Sequence, residues 1–389
     1  MSNQTKRKEV NMFDFSLLFI VLFLLCFGLV MIYSVSSYEA SMRFGDAAYF
    51  LKSQLLATGL GLVLMIVIAN IKYPFWEKFA TLAFVISHVL VLLVLSPLGI
   101  ERNNARRWLD IFGTSLQPAE VAKLGIILFM ASFICKIGTK NIGTLKGFLT
   151  VLIMPLPLCF IVWQITTNLS SAIIIFGIVL LMLFVASPKY KHFIVAGVVG
   201  MVVVMIIVFV IINVAASDNL GFRSERVLAW LDPEAYAQGR GFQTLQALYA
   251  IGSGGFFGKG LGQSMQKLGF LPEAQNDMIF SIISEELGLF GAIAIILMFM
   301  LLVWRFMYVA READLFGTLL VVGVMGHIVI QVIINIGVVT NLIPNTGITL
   351  PFISYGGSSV TFLLIEIGLV LSVAKFGKQI AVEKEQNAV

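Results

Sequence analysis

Apolar runs, each close to the length of a membrane-crossing helix, recur along the whole chain with short polar breaks between them. A helix needs about 20 mostly apolar residues to cross the hydrocarbon of a bilayer. That ruler predicts spans at 14–34, 53–71, 79–97, 118–135, 148–166, 169–187, 193–215, 278–304, 315–338 and 358–376. The pattern is that of an all-α, polytopic integral membrane protein with about ten transmembrane helices. Residues 1–13 and 377–389 are its tails, 14–376 is a single transmembrane domain, and the longest polar interval, about 216–277, lies between spans seven and eight. Lys6, Arg7 and Lys8 precede the first run as in a signal peptide. The run from Phe15 to Ser34 is too long for that, and no small-residue cleavage site is clear, so it reads as a span.

Composition removes the soluble alternatives. Of 389 residues, 59% are hydrophobic and 12% charged, against about 25% charged in a soluble domain. Mean hydropathy is +0.97, so lipid must solvate most of the surface. The net charge of +5 could suggest nucleic acid, but the basic residues sit in short loops, where they set orientation. With the N-terminus inside, Lys6, Arg7, Lys8, Lys72, Lys78, Lys136, Lys140, Lys146, Lys189, Lys191, Arg305, Arg311, Lys375, Lys378 and Lys384 all fall on the cytoplasmic side. The C-terminus then also lies inside, and no nucleic-acid partner is expected. Cys26, Cys135 and Cys159 lie in or beside apolar runs, and His88, His192 and His327 are scattered, so no metal-ligand spacing exists.

The outer loops break the charge rule. Arg102, Arg106 and Arg107 lie near 98–117, and Arg223, Arg226, Arg240, Lys259 and Lys267 lie in the large loop. Two readings fit: an anionic ligand at the outer face, or pairing with Glu101, Asp110, Glu225 and Asp232. The glycine-rich run from Gly252 to Gly262 is not a Walker A loop, because Ser253 and Gly260 stand where Gly and Ser or Thr are required. It reads as turns that need positive φ.

Three outer segments carry candidate chemistry. In Gln117-Pro118-Ala119-Glu120-Val121-Ala122-Lys123, Pro118 suits the first helical position. Lys123, one turn inside, either pairs with Glu120 at i, i+3 or faces an outward cavity as an intramembrane functional charge. In Leu271-Pro272-Glu273-Ala274-Gln275-Asn276-Asp277, the carboxylate of Asp277 fits a general base at a cavity mouth and equally a first-turn acid stabilised by the helix dipole. Glu285 and Glu286 lie too deep for the dipole reading. The stretch from Asn345 to Ser359 is rich in Gly, Pro and hydroxyls, which suits backbone dipping toward a water-filled cavity or a plain loop. Glu366 is a further intramembrane acid with either a pairing or a functional role.

Ala105-Arg106-Arg107-Trp108, Gln117-Pro118-Ala119-Glu120, Gly260-Leu261-Gly262-Gln263-Ser264, Glu285-Glu286-Leu287-Gly288 and Ser354-Tyr355-Gly356-Gly357-Ser358-Ser359 occur in one order along the chain. Together they resemble the SEDS family (shape, elongation, division and sporulation; FtsW, RodA and SpoVE), over nearly the whole length. Gln266-Lys267 and Ile348-Thr349-Leu350-Pro351 lean toward the FtsW and SpoVE branch. The resemblance implies a peptidoglycan glycosyltransferase that polymerises lipid II, an undecaprenyl-pyrophosphate-linked disaccharide peptide, at the outer face of the bacterial cytoplasmic membrane. It implies a class B penicillin-binding protein as partner, with other divisome or sporulation proteins. The family's essential Asp falls on Asp277. Arg106, Arg107, Lys123, Glu286, Ser354, Tyr355, Gly356, Gly357 and Ser358 match positions linked to substrate or cavity. The chain departs from the family pattern at Asn104 (for Gly), at Thr167-Asn168-Leu169 (for Pro-Asp-Leu) and at Gln275-Asn276 (for His-Thr).

The expected mechanism is an inverting transfer in which Asp277 takes the acceptor hydroxyl proton. The lipid pyrophosphate leaves as a stable anion, so one carboxylate suffices where a glycosidase uses two. Arg106, Arg107 and Lys123 would offset the pyrophosphate charge. No cofactor is certain; a Mg2+ or Mn2+ ion bridging the pyrophosphate suits the chemistry, although no ligand cluster is dedicated to one. A lipid II flippase is the alternative, since intramembrane charges suit a translocation path. Against it, no inverted repeat is visible and the unusual residues gather on the outer side. A non-catalytic scaffold for the penicillin-binding protein is the third reading, and it makes Asp277→Ala silent.

Overall fold

The computed structural model describes residues 14–102, 105–111, 114–198, 205 and 222–387. The tail at 1–13, Asn103 and Asn104, and all of predicted span seven beyond 198 except residue 205 lie outside the described residues. Helix α1 (Phe15–Phe44) starts where the Asp14 carboxylate accepts the Leu17 amide at 3.0 Å and is followed by α2 (Tyr49–Ala69), α3 (Pro74–Glu77) and α4 (Ala80–Leu93). The interval after α4 holds an antiparallel sheet, β1 (Gly99–Arg102), β2 (Ala105–Ile111) and β3 (Thr114–Leu116), with β2 central. Next come α5 (Pro118–Ile137), α6 (Thr139–Ile142), α7 (Leu145–Ile153) and α8 (Leu156–Ile165), with Pro155 at the α7–α8 break, then α9 (Leu169–Ala186) and a helical segment at 191–198.

The long polar interval before Ile279 is not simply a loop. It contains α10 (Phe222–Leu231) and α11 (Arg240–Gly254) before α12 (Ile279–Arg311), α13 (Leu315–Val339) and α14 (Gly357–Asn387). Among the described residues, seven helices are long and apolar enough to cross a membrane: Phe15–Phe44, Tyr49–Ala69, Leu145–Ile165 across its break, Leu169–Ala186, Ile279–Arg311, Leu315–Val339 and Gly357–Glu383. These helices are apolar on both faces. In α1, Leu17, Val21, Leu24 and Ile32 are buried against the protein, while Phe15, Phe19 and Phe23 face outward. That is the pattern of a helix set between protein and lipid. The last helix continues past 376, so the predicted C-terminal tail is helical as far as Asn387.

One helix is interrupted. At Gly288 the backbone of α12 takes φ 68°, ψ −167°, a region open essentially to glycine. The carbonyls freed at Glu285 and Glu286 accept the amides of Lys259 and Gly260, each at 2.9 Å. The amides of Leu289 and Phe290 donate to the carbonyls of Gly255 (2.9 Å) and Phe256 (3.3 Å). The segment 255–260 therefore supplies the partners that the helix lacks, which backbone at membrane depth requires. Phe256, Phe257 and Phe290 point outward from this junction. The approach leaves no room for side chains: a Cβ at Gly288 would stand 2.3 Å from the Gly258 nitrogen. Gly288→Ala is expected to destabilise the fold by on the order of 3 kcal/mol or more. The purified variant should melt at a distinctly lower temperature in detergent; an unchanged midpoint would mean that the junction does not depend on this glycine.

Candidate functional site

One mouth of the bundle is built around Asp277, which ends the loop leading into α12. Its side chain is 7% exposed, and its Oδ1 has no hydrogen-bond partner among the described residues. The opposite wall is the 345–350 segment: a Cβ at Gly347 would lie 3.8 Å from Asp277 Oδ2. Asn335 on α13, fully buried, holds the two walls together. Its Nδ2 donates to the carbonyls of Asp277 and Ile348, both at 2.7 Å. The Tyr355 amide adds a third tie by donating to the Gln275 carbonyl at 2.9 Å. Burial, reinforced by the nearby charge of Glu273 and opposed in part by Arg226, pushes the Asp277 carboxyl up to about 7. A carboxyl with this pKa is poised to accept a proton near neutral pH.

The stretch Ser354–Ser358 fastens this mouth to α2. Ser354 Oγ accepts the Leu350 amide at 2.8 Å. The Tyr355 ring stands edge-on to Phe50, and its hydroxyl donates to Ser53 Oγ at 3.3 Å. The Gly356 amide donates to Gln54 Oε1 at 3.0 Å, and Gly357 opens α14. Ser358 Oγ is buried without a hydrogen-bond partner among the described residues.

The predicted cations are engaged elsewhere. Lys123 is buried and donates to Glu120 Oε1 at 2.7 Å, the i, i+3 pair. It lies within electrostatic reach of the buried His327–Glu366 contact of 2.7 Å, so these groups form one polar layer between α5, α13 and α14. Arg106 stands 3.7 Å from Glu101, both exposed. Arg107 donates from Nε and Nη2 to the carbonyls of Thr166 (3.2 Å) and Thr167 (3.1 Å), which ties the sheet to the α8–α9 turn. No hydrogen bond links Lys123, Arg106 or Arg107 to Asp277 among the described residues. The side chains of Arg102, Arg223 and Arg240 lie outside the described residues.

Glu286 is also occupied. It accepts Lys267 Nζ at 2.8 Å and Ser34 Oγ at 2.9 Å. Glu285 accepts Lys259 Nζ at 2.7 Å, the Met265 amide at 3.2 Å and a short hydrogen bond from Ser264 Oγ. The outward lysines of the large loop thus pair with the two intramembrane glutamates. Matching charges across the two segments is the signal that would have found these pairs. Asn335, Gln243 and Asn345 carried no such signal, because an uncharged amide has no partner of opposite charge to match it with.

A family model described as cell cycle protein, FtsW/RodA/SpoVE, matches residues 15–379. The chain belongs to this family. Among its relatives, stage V sporulation protein E of Bacillus subtilis is 41% identical over 94% of this chain and 98% of its own length. A probable peptidoglycan glycosyltransferase FtsW of Geobacter metallireducens is 39% identical over 94% and 96%. Among solved structures, a chain from a peptidoglycan synthase complex in which polymerization and crosslinking are coordinated superposes with a TM-score of 0.75 at 27% identity, covering 93% of this chain and 97% of that one. The rod shape determining protein RodA of Thermus thermophilus gives 0.67 at 26%, covering 94% and 97%.

The departures from the FtsW/RodA/SpoVE pattern have local explanations. Asn168, in the place of Asp, caps α9 by accepting the Ser171 amide at 3.0 Å, a task both residues perform. Gln275 is buried and contributes its carbonyl to Tyr355, and Asn276 makes a short hydrogen bond to Glu273. Asn104 lies outside the described residues.

Asn335→Ala leaves two buried carbonyls unsatisfied, at a cost of about 2–4 kcal/mol. Amide hydrogen exchange should accelerate together in 271–278 and 345–350, with α2 and α9 unchanged. Acceleration in only one of the two segments would show that the amide does not couple them.

Proposed function

We propose that this chain is a peptidoglycan glycosyltransferase that polymerises a lipid-pyrophosphate-linked disaccharide peptide, lipid II, with Asp277 as general base. The single observation that carries the reading is the Asp277 carboxyl: buried, with one oxygen unpartnered and a pKa of about 7, at the mouth formed by the 271–278 and 345–355 segments. The names of the relatives, probable peptidoglycan glycosyltransferases over nearly the full chain, support it.

In the proposed step the acceptor's sugar hydroxyl gives its proton to Asp277 as its oxygen bonds to the donor's anomeric carbon. The anomeric carbon–oxygen bond to pyrophosphate breaks on the opposite face, and the lipid pyrophosphate departs with the electron pair. Configuration inverts, and no strong acid is needed at the leaving group. Among the described residues no group of three or more His, Cys, Asp or Glu side chains could hold a metal ion, and no step here is routed through one. The reading places Asp277 at the outer face of the bacterial cytoplasmic membrane, with both termini inside, about ten spans and a class B penicillin-binding protein as partner.

The test is glycan synthesis from lipid II by the purified chain with its cognate class B penicillin-binding protein. Asp277→Asn is expected to lower the rate by about 10²–10⁴-fold while the protein stays folded. The working form is the carboxylate, so the wild-type rate should be level above pH 7 and fall about tenfold per unit below it. Equal polymer from wild type and Asp277→Asn would remove the base. Polymer from neither, with lipid II still crossing proteoliposome membranes, would favour the flippase.

A further inference from the structure

A polar cavity of about 220 Å³ opens beside the site, lined by Arg226, Gly239, Phe242, Gln243, Pro272 and Asn345. Its wall is a continuous hydrogen-bonded frame. Gln243 Nε2 donates to the Pro272 carbonyl at 3.1 Å, Asn345 Nδ2 donates to Gln243 Oε1 at 2.8 Å, and Arg226 Nη1 donates to the Asn345 carbonyl at 3.3 Å. Asn345 Oδ1 accepts the amide of Gly347, the residue that walls Asp277 Oδ2. The cavity and the carboxylate therefore stand on two sides of one turn, and the Arg226 charge is felt at Asp277.

In an inverting displacement the leaving oxygen lies opposite the incoming one, with the anomeric carbon between them. The pyrophosphate must therefore sit a short distance from the base, on its own cation. Among Arg106, Arg107 and Lys123, Lys123 is buried against Glu120 and Arg107 grips the Thr166 and Thr167 carbonyls. Arg226 is the cation whose charge acts on Asp277. Its forked guanidinium matches phosphate oxygens, and the neighbouring amides add neutral donors. We propose that the Arg226–Gln243–Asn345 cavity is the subsite for the donor's pyrophosphate, with Arg226 as its principal cation. This rests on the glycosyltransferase reading above. Glu273, exposed beside Asp277, is the opposing charge at this entrance, and Asn276 bonds its carboxylate.

The experiment measures binding rather than turnover. The full chain with its penicillin-binding protein in lipid nanodiscs is titrated with undecaprenyl pyrophosphate, which lacks sugar and peptide. A soluble disaccharide pentapeptide, which carries carboxylates but no pyrophosphate, is the second probe. Arg226→Gln should weaken undecaprenyl pyrophosphate binding about tenfold or more and leave the disaccharide peptide unchanged, with Arg226→Lys intermediate. Gln243→Glu places a carboxylate in the cavity while keeping the acceptor for Asn345. It should weaken the pyrophosphate probe to a similar degree, which keeps the test open if Arg226→Gln does not fold. Undecaprenyl pyrophosphate affinity within twofold of wild type in the folded variants would overturn the assignment, as would a loss confined to the disaccharide peptide. If the wild type makes no polymer yet shows the Arg226-dependent binding, the glycosyltransferase reading and the donor assignment fail, and only a lipid-pyrophosphate site at Arg226 stands.

Discussion

Backbone satisfaction at membrane depth is the constraint on which the rest of this architecture depends. Where α12 breaks at Gly288, two carbonyls and two amides lose their helical partners. In lipid each orphan would cost several kcal/mol, so the chain must bring another backbone to meet them. It brings 255–260, and close approach requires glycine on both sides, at Gly258 and Gly288. The same junction brings Lys259 beside Glu285, and the chain beyond it brings Lys267 beside Glu286. The loop then runs on to Asp277 already anchored, so this buried carboxyl inherits its position from a repair made elsewhere in the helix.

The carboxylates divide by whether a counter-charge has reached them. Glu120, Glu285 and Glu286 each face a lysine below 3 Å. Pairs of this kind fix geometry, because removing one partner strands a buried charge. Asp277 has burial without a lysine, and Arg226 opposes the resulting shift only in part. The placement of three lysines and one arginine thus separates the paired glutamates from Asp277.

Much of the bundle was legible because lipid imposes a simple rule: long apolar runs become helices, and the predicted spans at 14–34, 169–187 and 315–338 lie within or close to α1, α9 and α13. The sheet at 99–116 was not legible, because its strands are three to seven residues long and charged. Helices α10 and α11 were hidden in an interval read as loop, since polar, Gly-containing helices lack a membrane signature. Asp277 stood out through its position at a span entrance. Asn335 was invisible, because its meaning depends on two carbonyls 58 and 13 residues away. Matching opposite charges points to pairing between the loop lysines and Glu285 and Glu286, but residue spacing does not reveal which lysine meets which glutamate.

Asn335 has a mechanical consequence. One amide nitrogen carries both the Asp277 and the Ile348 carbonyls, so these two walls are bolted to a single point on α13. A tilt or slide of α13 carries them as one rigid jaw and leaves their spacing intact. The frame of Gln243 on α11 and Arg226 on α10 reaches that jaw through bonds to Pro272 and Asn345. Bundle motion therefore changes the gap between jaw and frame while the distance from the carboxylate to its own wall stays constant.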